Sequence, residues 1–107
     1  MTARKRWIAG QLRAKGDLVV DLGAATALRK RGVSLLAAGV VDVQGDFLRG
    51  DVVRCVTVQG EAIAQGLINY ASTEVNLLRG LSSDSFVTAI GYAAEPELMH
   101  ADNLVLL

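Results

Sequence analysis

Residues 52–70 read Val52-Val53-Arg54-Cys55-Val56-Thr57-Val58-Gln59-Gly60-Glu61-Ala62-Ile63-Ala64-Gln65-Gly66-Leu67-Ile68-Asn69-Tyr70. Apolar and β-branched residues dominate both ends, and Gln59-Gly60 supplies the tight turn between them, so the spacing predicts strands over 52–58 and 62–70 paired as a β-hairpin. Gly66 falls inside the second strand. A glycine there marks either a bulge or a place where another backbone comes close.

Upstream, Gly45-Asp46 and Arg49-Gly50-Asp51 carry turn chemistry. From Ser34 onward the pattern alternates, which predicts a strand with Val41 and Val43 on one face and Val40, Asp42 and Gln44 on the other. Residues 24–31 are rich in Ala and Leu and predict a helix that ends at Gly32, with Arg29, Lys30 and Arg31 in its last turn, where positive charge complements the helix dipole. A short strand over 17–21 follows the Lys15-Gly16 turn. Before it, Arg4-Lys5-Arg6 leads into Trp7 and Ile8. This stretch reads as the end of a linker, with Trp7 as a lid on the core.

Downstream, Ser72 suits the N-cap of a helix over 73–79 with Glu74 in its first turn, and Ser83 that of a second over 84–90, with Phe86, Val87 and Ile90 on one side and Gly91 as the stop. The tail, residues 98–100 and 103–107, returns to an apolar extended pattern. Its simplest use is to pair with an early strand and close the sheet. The expectation is a mainly β domain, a compact barrel with short peripheral α-helices.

The 107 residues allow one core. Half are apolar but only five are aromatic, so that core is built from Val, Leu, Ile and Ala. No apolar run approaches the ~20 residues of a membrane-spanning helix. The basic opening has only Trp7-Ile8-Ala9 as an apolar run, shorter than a secretory-signal core, and a cytoplasmic location is expected. Cys55 is the single cysteine, which excludes an intrachain disulfide and a cysteine-based zinc site and suits a small buried strand residue. The formal charge is zero. Residues 1–54 nevertheless carry ten basic and five acidic groups, and residues 55–107 one basic and six acidic. Whether the surface is dipolar depends on how strands from the two halves interleave.

No arrangement of the eleven glycines forms a phosphate-binding loop or a dinucleotide fingerprint. His100 is the only histidine and no nucleophile motif accompanies it. Glu95 and Glu97 flank Pro96 as loop solvation rather than as a catalytic pair. No catalytic residue and no metal ligand is assigned. Arg49-Gly50-Asp51 reads as a turn before Val52 rather than as an adhesion tripeptide. The most suggestive chemistry is Arg29-Lys30-Arg31-Gly32, three cations before a glycine that lets another backbone approach. Such a surface contacts phosphates when phosphates are offered. The simpler reading is a helix end whose charges oppose the dipole.

The order strand, helix ending at Gly32, then Val33-Ser34-Leu35-Leu36 and Gly39-Val40 resembles the PUA fold of RNA-modifying enzymes, and Phe47-Leu48-Arg49-Gly50-Asp51-Val52-Val53 with Ile63-Ala64-Gln65-Gly66 resembles its central signature. Arg4-Lys5-Arg6-Trp7-Ile8, Ser34-Leu35-Leu36, Ile68-Asn69-Tyr70 with Ser72, Ile90-Gly91-Tyr92 and His100-Ala101-Asp102-Asn103-Leu104 extend the resemblance, from about Arg4 to Leu106, to the C-terminal domain of bacterial glutamate 5-kinases. The resemblance implies a PUA-like pseudo-barrel over residues 1–107, with 1–8 as linker end and 9–107 as barrel. It implies a parent enzyme that phosphorylates the γ-carboxylate of glutamate in the first step of proline synthesis, ATP and magnesium being held by an N-terminal kinase domain absent from this chain. Two roles stay open for this part. One is regulation or assembly, with the kinase domain and a homo-oligomer as partners. The other is RNA binding, for which the resemblance offers Arg29, Lys30, Arg31, Gly32 and Ser34.

Overall fold

The computed structural model describes residues 1–30 and 32–107. Among them five strands, β1 (Gly16–Val20), β2 (Val40–Gly45), β3 (Val52–Thr57), β4 (Ala62–Leu67) and β5 (Leu104–Leu106), form one sheet in the order β2-β1-β3-β4-β5. β1 and β3 run parallel; the other three neighbouring pairs are antiparallel. Four short helices, α1 (Ala3–Ala9), α2 (Leu22–Leu28), α3 (Ser72–Leu78) and α4 (Phe86–Ile90), surround it. This is the expected mainly β architecture with short peripheral helices.

The hairpin β3–β4 forms where the sequence places it. Gly60 takes φ of 90° and donates to the Thr57 carbonyl at 2.9 Å, while the Thr57 amide donates to the Glu61 carbonyl at 2.9 Å. A side chain at that φ is strained, and glycine relieves it. β3 is the central strand. Val53 and Cys55 enter the main core with Leu18, Val20, Leu28, Val75, Leu78 and Phe86, whereas Val52 on the opposite face packs with Ile8, Leu67 and Val105. Burial on both faces explains why this segment reads as a continuous apolar run rather than as an alternation.

Gly66 marks a close approach, not the bulge. The register slip lies three residues away in the same strand, where Cys55 faces Ala64 and Val56 faces Ala62, leaving Ile63 as the extra residue. Gly66 instead lies opposite Leu104 of β5, and a Cβ there would stand 2.6 Å from the Asn103 carbonyl oxygen and 3.2 Å from Leu104 Cα. The tail therefore pairs with β4 and not with an early strand. What reaches the early part of the chain is Met99, whose carbonyl accepts from the Leu35 amide at 2.9 Å while the Leu98 amide donates to the Leu35 carbonyl at 2.8 Å.

Other expectations are corrected locally. A second bulge, at Val41, separates Val20–Val40 from Val19–Asp42, so Val40 and Val43 face inward and Val41 outward. α2 starts earlier and ends earlier than the helix expected over 24–31: Asp21 caps it by accepting from the Ala24 amide at 2.7 Å, and Arg29 is already its C-cap. Its last turn holds no basic residue. Within the stretch 1–8 expected as linker end the chain is already helical, α1 running on to Ala9, and the buried anchor is Ile8, whereas Trp7 is 55% exposed. Gln65, buried in β4, donates its amide to the carbonyls of Ile8 and Gln11 and ties the end of α1 to the sheet. The N-cap of α3 is Ala71, whose amide donates to Glu74. Ser72 instead accepts from the Phe47 amide. In α4 Phe86 is buried and Val87 is exposed. No described helix is long and apolar enough to cross a membrane.

Gly66→Ala should cost about 1–3 kcal/mol, because the atoms its methyl meets are mainly backbone and cannot rotate away. A urea melt with an unchanged midpoint would contradict the close approach. Burial, with the Asp17 charge second, pushes the Cys55 thiol up to about 12. An aromatic disulfide reagent at pH 8 should therefore label Cys55 only as fast as the domain opens, and rapid labelling of the native protein would contradict its burial.

Candidate functional site

Among the described residues, a concave surface that gathers cations over an apolar floor lies where the N-terminus, the turn after α2 and the tail meet. A groove of about 340 Å³ is lined by Met1 and Lys5, by Lys30, Gly32 and Val33, and by Ala101, Leu104, Val105 and Leu106. Each wall has a local cause. The docking of Ile8 brings α1, and with it Lys5, against β5. Gly32, at φ of 78°, turns the chain after α2 into the segment that carries Leu35 to Met99. The remaining wall is β5 itself.

Of the residues proposed from sequence, the structure brings Lys30 and Gly32 to this groove and leads others elsewhere. Arg29 points to the hairpin and makes an ion pair with Glu61 at 3.4 Å, both side chains at least half exposed. Ser34 accepts a hydrogen bond from the Ala101 amide at 2.8 Å, a clamp that holds the 3-10 turn Ala101–Asn103 in front of β5. Arg31 lies outside the described residues. Lys5 was missed, because Arg4-Lys5-Arg6 looks like a solvated run. The signal that finds it is Ile8, three residues on and one helical turn away, whose burial fixes which way α1 faces.

The other polar side chains with chemical potential serve structure. His100 Nδ1 accepts from the Asp102 amide at 3.0 Å and so caps the same 3-10 turn. Arg49 donates to the Asn69 carbonyl at 2.8 Å and to Glu95 at 2.6 Å. The Tyr70 hydroxyl donates to the Glu95 carbonyl and accepts from the Ala94 amide at 3.0 Å, and Tyr92 donates to Glu74 at 2.6 Å. Together these bonds fasten the loop after α4 onto α3 and the segment between β4 and α3. Gly50, at φ of 92°, completes a turn in which the Asp51 amide donates to the Leu48 carbonyl at 3.0 Å and the Asp51 carboxylate accepts from the Leu48 amide at 2.8 Å. Arg54 and Asp17 pair across the parallel strands through two bonds of 2.9 and 3.1 Å. The pairs Arg29–Glu61 and Arg49–Glu95 join the basic and acidic halves of the sequence, so the sequence asymmetry is partly cancelled in space.

Comparison with known proteins fits this geometry. The family profile described as the PUA domain matches residues 16–88, two thirds of the chain. The chain belongs to the PUA domain family. A PUA domain from Aeropyrum pernix, solved as a tartrate complex, superposes with a TM-score of 0.59 at 30% identity, over 80% of this chain and 41% of that one. A PUA domain protein from Thermoplasma acidophilum gives 0.51 at 30% identity, over 61% and 43%. An archaeal box H/ACA ribonucleoprotein complex gives 0.54 at 15% identity over 86% and 23%, a likeness of fold alone. In sequence, this PUA domain is 50% identical over all 107 residues to the glutamate 5-kinase of a Marinomonas species and 51% identical to that of Thioalkalivibrio sulfidiphilus. It matches the C-terminal portion of such enzymes and spans 28–29% of their length.

The Arg49 guanidinium, hydrogen-bonded to Glu95, holds that carboxyl below its ordinary 4.5. A carboxyl depressed in the folded state contributes stability that is complete above 4.5 and is lost as pH falls through the folded value. Both side chains are more than a third exposed or close to it, so the pair contributes at most about 1 kcal/mol. Glu95→Gln should lower stability by up to that amount at pH 7 and by little at pH 3, in urea melts at the two values. A deficit that grows on acidification would contradict the pairing.

Proposed function

We infer that this chain is the non-catalytic C-terminal PUA domain of a cytoplasmic glutamate 5-kinase, the enzyme that uses ATP to phosphorylate the γ-carboxylate of glutamate in the first step of proline synthesis, and that it modulates catalysis or assembly of that enzyme. The observation that carries this reading is 50% identity across the whole of the chain to proteins of that name. The side chains described above support it: His100, Ser34 and Glu95, which have catalytic chemistry in other settings, are engaged here in a cap, a clamp and an ion pair. No glycine turn of this domain has the form of a phosphate cradle. ATP and magnesium therefore belong, on this reading, to the preceding kinase portion.

Removing residues 4–107 from the full enzyme should leave glutamate phosphorylation in place and change proline inhibition, metal dependence or oligomeric state. Steady-state kinetics and light scattering on the two proteins test this. Identical inhibition, metal response and assembly would overturn the modulatory role.

A second reading, RNA binding, is favoured by the convergence of Lys5 and Lys30 on one groove. Against it stand an apolar floor and the lack of an aromatic ring among the described lining residues on which a base stacks. It predicts RNA binding that weakens steeply with salt and is reduced in Lys5→Ala and Lys30→Ala variants. Absence of binding at low ionic strength would remove it.

A further inference from the structure

The two edges of the sheet are treated differently. β2, at one edge, is covered by α3, and Arg79 donates to the Val41 carbonyl at 2.9 Å. β5, at the other, faces the groove. Its pairing with β4 places Leu107 opposite Ile63, and the Leu107 amide donates to the Ile63 carbonyl at 3.0 Å. In an antiparallel ladder hydrogen-bonded and non-hydrogen-bonded pairs alternate, so Val105 bonds to Gln65 while the backbone groups of Leu104 and Leu106 turn away from β4. The Leu104 amide is taken by the Ala101 carbonyl. The Leu104 carbonyl and both backbone groups of Leu106 point away from β4 on a strand that lines the groove, and among the described residues no strand pairs with them.

Three outward hydrogen-bonding groups, an apolar floor of Val33, Leu104 and Leu106, and a lysine from each flanking wall describe a site for an extended polypeptide that adds as a strand and carries carboxylates. Both charged residues among the described lining are cations. Two of the three outward groups are carbonyls, which the amides of an added strand satisfy and a phosphate, itself an acceptor, does not, and this favours a polypeptide over RNA.

One polypeptide is positioned to do this. Met1 lines the groove, and it also lines the open hollow beside it with Thr2, Ala3, Arg4, Lys5 and Asp102. In relatives more than two thirds of the chain lies outside the matched portion. A chain that enters this domain through Met1 therefore enters beside β5. We propose that the segment immediately preceding Met1 in the parent kinase lies against β5 as an added strand, held by the outward groups of Leu104 and Leu106 and by Lys5 and Lys30, and so couples the orientation of this domain to the kinase portion. The inference rests on the reading of the chain as part of a glutamate 5-kinase.

The test compares the full-length protein with the chain of residues 1–107 by hydrogen–deuterium exchange resolved to single amides. The Leu106 amide should exchange at least about tenfold more slowly in the full-length protein. In full-length Leu106→Pro, which removes the outward donor at an edge position where proline is tolerated, limited proteolysis should cut the preceding segment faster than in wild type. Full-length Lys30→Glu, an exposed change that does not touch the core, should do the same and guards against misfolding of the proline variant. Equal Leu106 exchange in the two proteins, or a segment equally resistant in both variants, overturns the docking. Salt-sensitive RNA binding through Lys5 and Lys30 with Leu106 exchange unchanged assigns the groove to RNA and also overturns it. Glutamate phosphorylation is assayed on the same full-length protein. Its presence with failed docking sinks this inference alone, and its absence sinks the reading beneath it.

Discussion

The absence of a side chain at Gly66 is the constraint on which the arrangement rests. β4 is where the central hairpin meets the tail, and only a bare backbone at that point allows Leu104 and the Asn103 carbonyl to come as close as they do. Once β5 is seated there, Met99 meets Leu35, Ser34 clamps Ala101, and the segment after α2 is drawn across the end of the sheet. The fold is thus closed at one end by contacts from three distant parts of the chain. Such long-range closure is stabilised by cooperation among small terms and is sensitive to a single misplaced methyl group.

That closure also makes the groove. Lys5 arrives on α1 through Ile8 and Gln65, Lys30 and Gly32 arrive on the turn that leads to Leu35, and β5 supplies the floor. None of these elements forms a concave surface alone. The electrostatic asymmetry of the sequence is partly cancelled in space, because Arg29 and Arg49 each pair with a carboxylate from the acidic half. What is left at the groove is a pair of lysines beside a strand edge, a smaller feature than the run of three cations in the sequence suggests.

Much of this was legible in the residues. The hairpin announced itself through a Val-rich run before Gln59-Gly60 and a second apolar run after it, and the PUA family through Phe47 to Val53 with Gly66. Helix starts and strand phases were less legible. The helix expected over 24–31 opens earlier, because the Asp21 carboxylate can accept from the Ala24 amide. A bulge at Val41 reverses the alternation halfway along β2, and no turn residue signals it. Among the five residues first offered as a binding site, Lys30 and Gly32 reach the groove. The direction of Arg29 is set by Glu61 and that of Ser34 by Ala101, partners 32 and 67 positions away that no local pattern reveals.

The account depends most on the register of β4 against β5, since the same register seats Gly66 beside Leu104 and turns Leu106 toward the groove. In a non-hydrogen-bonded antiparallel pair the Cα atoms lie closer than in a hydrogen-bonded one, which brings their α-protons together. Nuclear Overhauser contacts between α-protons of the folded domain measure this directly. Strong contacts for Gly66 with Leu104 and for Ala64 with Leu106, and a weak or absent one for Gln65 with Val105, are the predicted result. A strong Gln65–Val105 contact without the other two would turn the Leu106 amide onto β4, close the edge and contradict the account.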